Sequence, residues 1–150
     1  MEDKQKKRLL AVCTGNTCRS PMAAAVLARI LTEKGLTEAY TADSAGVAAF
    51  DGQPASPNAV TAAQEEGLDL SGHLSHRITL EEIVEAERIF VMSEEHRALI
   101  SKAVPGSSEK IAVMQLPDPY GGDLEEYRRC LGQIKAFFVR FFEENPLCAE

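Results

Sequence analysis

The chain has 150 residues, 45% of them hydrophobic, and a formal net charge of -7 at pH 7. That size and apolar content suffice for one domain over 1–150 with its own core, preceded by a flexible lead over residues 1–8, with no need of disulfide or metal staples. The acidic balance opposes a nucleic-acid partner, and the lack of a long apolar segment leads to the expectation of a cytoplasmic protein with no membrane partner.

In chain order, the first element is a strand. Leu9-Leu10-Ala11-Val12 is short, apolar and uninterrupted, as in a strand covered on both faces, although periodicity alone does not separate it from a helix. A loop from Cys13 to Ser20 follows, and from Pro21 the apolar positions Met22, Val26, Leu27, Ile30 and Leu31 recur at helical spacing until Gly35. Thr37 to Ser44 reads as a second strand, succeeded by a loop of small and polar residues through Pro54. The alanine-rich run Pro57 to Glu66 predicts a helix stopped by Gly67, and Ile78 to Ala86 predicts a further one capped by Thr79. Arg88 to Met92 resembles a buried strand, and Ser93-Glu94-Glu95-His96 opens a helix that runs to about Ala103 before Pro105-Gly106. Lys110 to Met114 is the fourth strand candidate. After the loop Pro117 to Gly122, Leu124 to Phe142 forms a long helix with Leu131, Ile134, Phe138 and Phe141 near one face.

Strands alternating with helices imply an α/β fold, a three-layer sandwich with a central, mostly parallel four-stranded sheet and helices on both faces. Ligands in such sheets sit at the carboxyl ends of the strands. The Cys13 loop and the Asp118 loop both follow strand candidates, so they are expected to meet there.

Cys13 enters a short loop directly from a strand, and Arg19 stands six positions later at a helix start. That arrangement can hold a phosphate over a thiolate, since an arginine and a helix N-terminus both favour the ionised sulfur. Backbone N–H groups from Thr14 to Arg19 can curl into an anion nest, with Gly15 supplying backbone freedom and Arg19 two parallel donors to phosphate oxygens. Asn16 suits a left-handed backbone position from which its amide braces the loop, and Ser20 is placed to hydrogen-bond the sulfur. Taken singly, Cys13 also fits a buried core cysteine and Asp118 an ordinary Asp-Pro turn, with Asp123 as a second choice of acid. Four cysteines without CxxC spacing or histidine companions point to reduced thiols and no metal.

The string Cys13-Thr14-Gly15-Asn16-Thr17-Cys18-Arg19-Ser20 resembles the loop of the low-molecular-weight protein tyrosine phosphatase family, which pairs C-x5-R-[ST] near the N-terminus with a distant Asp-Pro loop. Ser44-Ala45-Gly46 and Asp118-Pro119-Tyr120 match as well, so the resemblance spans nearly the full chain. It implies that Cys13 attacks phosphorus, Arg19 binds the equatorial oxygens, and Asp118 protonates the leaving group and then deprotonates water. It further implies that Ser44 holds Asn16, that Thr14, Gly15, Asn16, Thr17, Cys18 and Ser20 form the phosphate site, that Phe50 and Tyr120 wall the pocket, and that no cofactor is used. The family also carries a reversible pairing of Cys13 with Cys18 that protects the nucleophile; packing of Cys18 beneath the loop is the alternative.

The implied partner is a phosphorylated protein, met by a monomer or weak homodimer. Two residues bear on which phosphoryl group is removed, and they disagree. Threonine at position 17 resembles the protein-arginine phosphatases, where tyrosine-directed members usually carry a bulkier aliphatic residue. Tyr120 is more typical of tyrosine-directed members. Thr17 takes precedence because it lies inside the loop, so a protein-arginine phosphatase is expected, with a tyrosine phosphatase as the alternative. A silent phosphoprotein-binding module needs neither nucleophile nor acid, and an arsenate reductase needs resolving cysteines that the middle of the chain lacks. His73, His76 and His96 show no metal-ligand pattern, and His73 and His76 read as loop or surface contacts. Cys130 and Cys148 read as incidental, and Glu81-Glu82 and Glu125-Glu126 as solvated helix faces.

Overall fold

The computed structural model describes residues 5–148. Four strands, β1 (Lys7–Cys13), β2 (Tyr40–Gly46), β3 (Ala86–Val91) and β4 (Ile111–Val113), form one sheet in the order β2-β1-β3-β4, with every pairing parallel. The helices are α1 (Arg19–Glu33), α2 (Pro57–Glu65), α3 (Leu80–Glu85), α4 (Glu94–Ala103) and α5 (Leu124–Glu144). Both faces of the sheet are covered, which is why β1 reads as an unbroken apolar run rather than an alternating one.

The pleat of β1 divides the core in two. Leu9, Ala11 and Cys13 belong to the larger cluster with residues of α1, α2 and α5, while Leu10 and Val12 pack with Ile83 of α3 and Ile100 of α4. Phe90 of β3 anchors the larger side, meeting Phe138 edge-on at 5.0 Å and Phe141 at 5.2 Å. The α/β three-layer architecture is therefore the observed one, with Cys13 facing the α1 and α5 side.

Several boundaries differ from the sequence reading. Lys7 and Arg8 of the expected lead already belong to β1, and residues 1–4 lie outside the described residues. The strand expected at Thr37 begins at Tyr40, because the N–H groups of Ala39 and Tyr40 bond back to Leu36 O in the turn after α1. β4 is shorter than expected because Ser107–Lys110 forms a 3-10 turn. Thr79 and Glu82 make a reciprocal cap on α3, and Glu82 also meets His76 at 2.7 Å, so Glu82 is a structural side chain rather than a solvated one. No helix among the described residues is long and apolar enough to cross a membrane.

β1 is an interior strand, so the loop leaving its carboxyl end is flanked on both sides. Val47 and Ala48 donate backbone N–H groups to the carbonyls of Cys13 and Thr14, at 2.9 and 3.0 Å, extending the β2 pairing into the loop. On the other side, the chain after β4 stays bonded to β3 through Met114 N to Val91 O and Leu116 N to Met92 O. Between those bonds Gln115 takes φ 56°, a kink that turns the following segment toward the Cys13 loop.

Candidate active site

Cys13 ends β1 and Arg19 begins α1, so the intervening five residues must turn the backbone from strand to helix. The turn is made at Asn16, whose φ is 59°; asparagine tolerates this region because its short amide bonds locally. Gly15 does not carry the freedom expected of it: its φ is not left-handed, and a Cβ there would meet only Thr17 Oγ1 at 3.9 Å.

Two donors converge on the cysteine sulfur. Asn16 N–H lies 3.2 Å from Cys13 Sγ, and Ser20 Oγ lies 2.9 Å from it. Both are suited to a negatively charged sulfur. Asn16 itself is fully committed: Nδ2 donates to Ser20 Oγ (2.7 Å) and to Ser44 Oγ (2.9 Å), Oδ1 accepts from His76 N (3.0 Å), and its carbonyl accepts from His73 Nε2 (2.7 Å). A buried polar network satisfied at every member rigidifies what it touches. Asn16 and Ser20, both fully buried, brace the loop from behind and do not line the cavity, contrary to their expected part in binding.

The cavity in front of the loop measures about 360 Å³. Cys13, Thr14, Gly15, Thr17, Cys18 and Arg19 line it from the loop, and Ala48, Phe50, Gln53, Asp118 and Tyr120 complete its walls. Phe50 and Tyr120 are 79% and 75% exposed, large aromatic faces at the rim where a substrate can cover them. Arg19 is buried; its Nη1 donates to Leu116 O at 2.9 Å, its Nη2 stands 3.7 Å from Asp118 Oδ2, and its buried Nε has no protein acceptor. The guanidinium thus holds donor capacity that the protein does not use, beside a carboxylate that is half-exposed. Asp118 Oδ1 accepts from Tyr120 N at 3.0 Å, which orients the carboxyl group within its turn. Asp123, the second choice of acid, caps α5 instead by accepting from Glu126 N.

Cys18 is buried, with its sulfur 3.3 Å from Ser56 Oγ and 3.4 Å from Tyr127 OH. Both it and Cys13 are free thiols in this structure. Burial, aided by the bond to Cys18, pushes the Tyr127 hydroxyl up to about 12, so it stays protonated beside that sulfur. Burial also pushes the Cys130 thiol up to about 12, which leaves it inert at neutral pH. Among the described residues, no group of three or more His, Cys, Asp or Glu side chains is arranged to hold a metal ion.

Two histidines without a metal pattern prove to be loop supports. His73 donates to Asn16 O across 57 positions, and His96 Nε2 lies 2.9 Å from Thr14 Oγ1 across 82. No local signal announces contacts at that separation. Both imidazoles have lowered pKa values, mainly through burial. Their folded-state proton affinity therefore lies below that of the unfolded chain, near pH 6.5, so the unfolded state takes up the extra protons and stability falls as pH drops through 6.5. We expect Tm to decline by a few degrees between pH 7 and pH 5, with a shallower slope in His73→Gln, which retains an N–H donor without titrating. A flat Tm across that interval in thermal melts at constant ionic strength would contradict the neutral state of these rings.

A family model described as low molecular weight phosphotyrosine protein phosphatase matches residues 8–145. The chain belongs to this family. A protein-arginine-phosphatase from Geobacillus stearothermophilus is 33% identical over 146 residues, covering 91% of this chain and 95% of that protein. A probable low molecular weight protein-tyrosine-phosphatase from Ralstonia solanacearum is also 33% identical, over 135 residues, covering 86% and 89%. Among solved structures, the low molecular weight protein tyrosine phosphatase from T. tengcongensis superimposes with a TM-score of 0.85 at 32% identity, covering 93% of this chain and 99% of that one. The YwlE arginine phosphatase from Geobacillus stearothermophilus gives 0.81 at 33%, covering 92% of each. As a member of this family the protein is a cysteine-dependent phosphatase, and relatives described with either substrate class are 33% identical to it.

Proposed function

We propose that this phosphatase hydrolyses phosphoarginine in proteins, with Cys13 as nucleophile, Arg19 as the phosphoryl clamp and Asp118 as acid and then base. The Cys13 thiolate attacks phosphorus and forms the S–P bond while the P–N bond breaks. Asp118 gives its proton to the departing guanidine nitrogen. A water molecule then attacks the cysteinyl-phosphate, Asp118 takes the water's proton, and inorganic phosphate leaves as the thiolate is restored. Asn16 N–H and Ser20 Oγ, held within 3.2 Å of the sulfur, stabilise the negative charge that returns to it in the second step. A free thiol in a reducing, cytoplasmic compartment suits this chemistry.

The observation that carries the substrate assignment is Thr17, whose short hydroxyl side chain lines the cavity next to the nucleophile. An N-phosphoguanidinium presents N–H donors along its edge, and the hydroxyl of Thr17, the amide of Gln53 and the carboxylate of Asp118 supply acceptors around it. A phenyl ring has no use for them. Phosphotyrosine remains the second reading because Phe50 and Tyr120 offer aromatic faces that accept a phenol as well as a planar cation.

Side-by-side kcat/KM values on phosphoarginine and phosphotyrosine peptides test the assignment. The expected result is a preference for phosphoarginine of at least about tenfold, reversed by Thr17→Ile, which fills the space and removes the acceptor. Equal losses on both substrates in that variant would make Thr17 a structural residue and leave the assignment without its support.

A further inference from the structure

A hydroxyl of the cavity-lining loop lies against a side chain from outside that loop. Thr14 follows the nucleophile, is exposed, and lines the cavity. Its backbone carbonyl is occupied by Ala48 N at 3.0 Å, so its Oγ1 is the side-chain group it contributes to the cavity. That oxygen lies 2.9 Å from Nε2 of His96. His96 is only 3% exposed and sits in the first turn of α4, where its backbone N–H donates to the cap Ser93 Oγ at 3.4 Å. Its Nδ1 is buried with no hydrogen-bond partner.

The partnerless Nδ1 decides the tautomer. A proton on Nδ1 would leave a buried N–H without an acceptor and make Nε2 receive the threonine proton. A proton on Nε2 leaves only a lone pair unmet on Nδ1, the less costly of the two defects. Burial, assisted by the charge of Arg19 and opposed by Glu95 and Asp118, keeps the ring neutral, so the choice is between these two forms. With Nε2–H donating to Oγ1, the hydroxyl's single hydrogen has to point elsewhere, and the cavity is the side on which Thr14 is open.

We propose that Thr14 is a substrate-contacting residue and His96 its positioning residue: the imidazole donates to Thr14 Oγ1 and thereby turns the threonine hydroxyl proton onto a phosphoryl oxygen. This rests on the phosphate-binding reading of the Cys13 loop and adds to it a neutral side-chain donor, independent of Arg19 and of the backbone nest. A hydroxyl donating to a phosphate dianion makes a charge-assisted bond, stronger than the neutral one it forms with water.

The test is competitive inhibition by inorganic phosphate, measured at pH 7 against hydrolysis of a small aryl phosphate. Thr14→Val keeps the shape and removes the hydroxyl; the inhibition constant is expected to rise about tenfold. His96→Leu is expected to raise it by a similar factor, His96→Gln to stay within about twofold because its amide N–H replaces Nε2–H, and the Thr14→Val/His96→Leu double variant to be no worse than Thr14→Val alone. An inhibition constant within about twofold of the parent in Thr14→Val overturns the proposal, as do losses that multiply in the double variant, or a His96→Leu protein that melts earlier yet binds phosphate as the parent does. Should His96→Leu not fold, Thr14→Val and His96→Gln decide alone, since Thr14 is exposed. A parent protein that neither hydrolyses the aryl phosphate nor responds to phosphate would instead remove the phosphate-site reading beneath it.

Discussion

Cys13→Ser is expected to abolish turnover of phosphoarginine and aryl phosphates alike, lowering kcat by at least about 10⁴-fold. The reason lies in what surrounds the sulfur. Its partners, Asn16 N–H at 3.2 Å and Ser20 Oγ at 2.9 Å, can donate to an anion, and neither is a base that could activate a neutral hydroxyl. Sulfur is intrinsically the stronger nucleophile and its anion is suited by these two donors, whereas an alcohol would need a base to attack. The exchange of sulfur for oxygen removes little volume at a site braced by the Asn16 network, so Tm should move by less than about 3 °C. Rates on both substrates together with melting curves check this. Turnover above about 1% of the parent in a folded Cys13→Ser protein would take the nucleophile's role from Cys13. The same measurement separates an enzyme from a phosphoprotein-binding module, whose function would survive the change.

Gly46→Ala should be the most damaging substitution outside the cavity. Gly46 pairs with Cys13 at the end of β2, and a Cβ there would stand 2.6 Å from Thr14 O, 2.8 Å from Ala49 Cβ and 3.0 Å from Asn16 N. Two of these atoms are loop backbone, which has no flexible end to swing away. Gly46 is also held from its other side, where its N–H bonds to His76 O at 3.0 Å and its carbonyl accepts from Ile78 N at 2.9 Å. The loop has to yield. Overpacking of this kind costs about 1–3 kcal/mol of stability, and displacement of the nucleophile's loop by about 1 Å lowers kcat/KM on the order of 100-fold. Denaturant unfolding and steady-state kinetics on one preparation measure both. An alanine variant that keeps the parent's kcat/KM would show that the loop tolerates a shift at Gly46, and that Gly46 is not what sets its position.

The legibility of the chain follows the distance over which each feature acts. Helix and strand types were readable because caps, alanine runs and apolar runs are local: Thr79 and Ser93 cap α3 and α4 where their spacing to glutamate and the helix start predicted. Boundaries were less so, since β2 begins at Tyr40 and β4 at Ile111 for reasons of turn bonding that composition does not carry. In the active site, the order of Cys13, Asn16, Arg19 and Ser20 could be read because one turn from strand to helix places all four. The backbone freedom expected of Gly15 is not used, because the left-handed turn falls on Asn16, the residue for which the sequence predicts it.

The sequence by itself determined the proposed reactive set: a cysteine leaving a strand, an arginine opening the next helix, and an aspartate before a proline. Those are matters of residue type and of spacing within a few positions, and the structure brings all three to one cavity. Only the tertiary structure decided what holds that set in place. His73 on the Asn16 carbonyl, His96 on the Thr14 hydroxyl, Ser44 on the Asn16 amide, Ser56 and Tyr127 on the Cys18 sulfur, and the close pass of Gly46 beneath the loop join residues separated by 28 to more than 100 positions. Such contacts arise when parallel strands with helical crossovers bring remote segments to one edge of a sheet, and their geometry depends on packing that no short stretch of chain encodes.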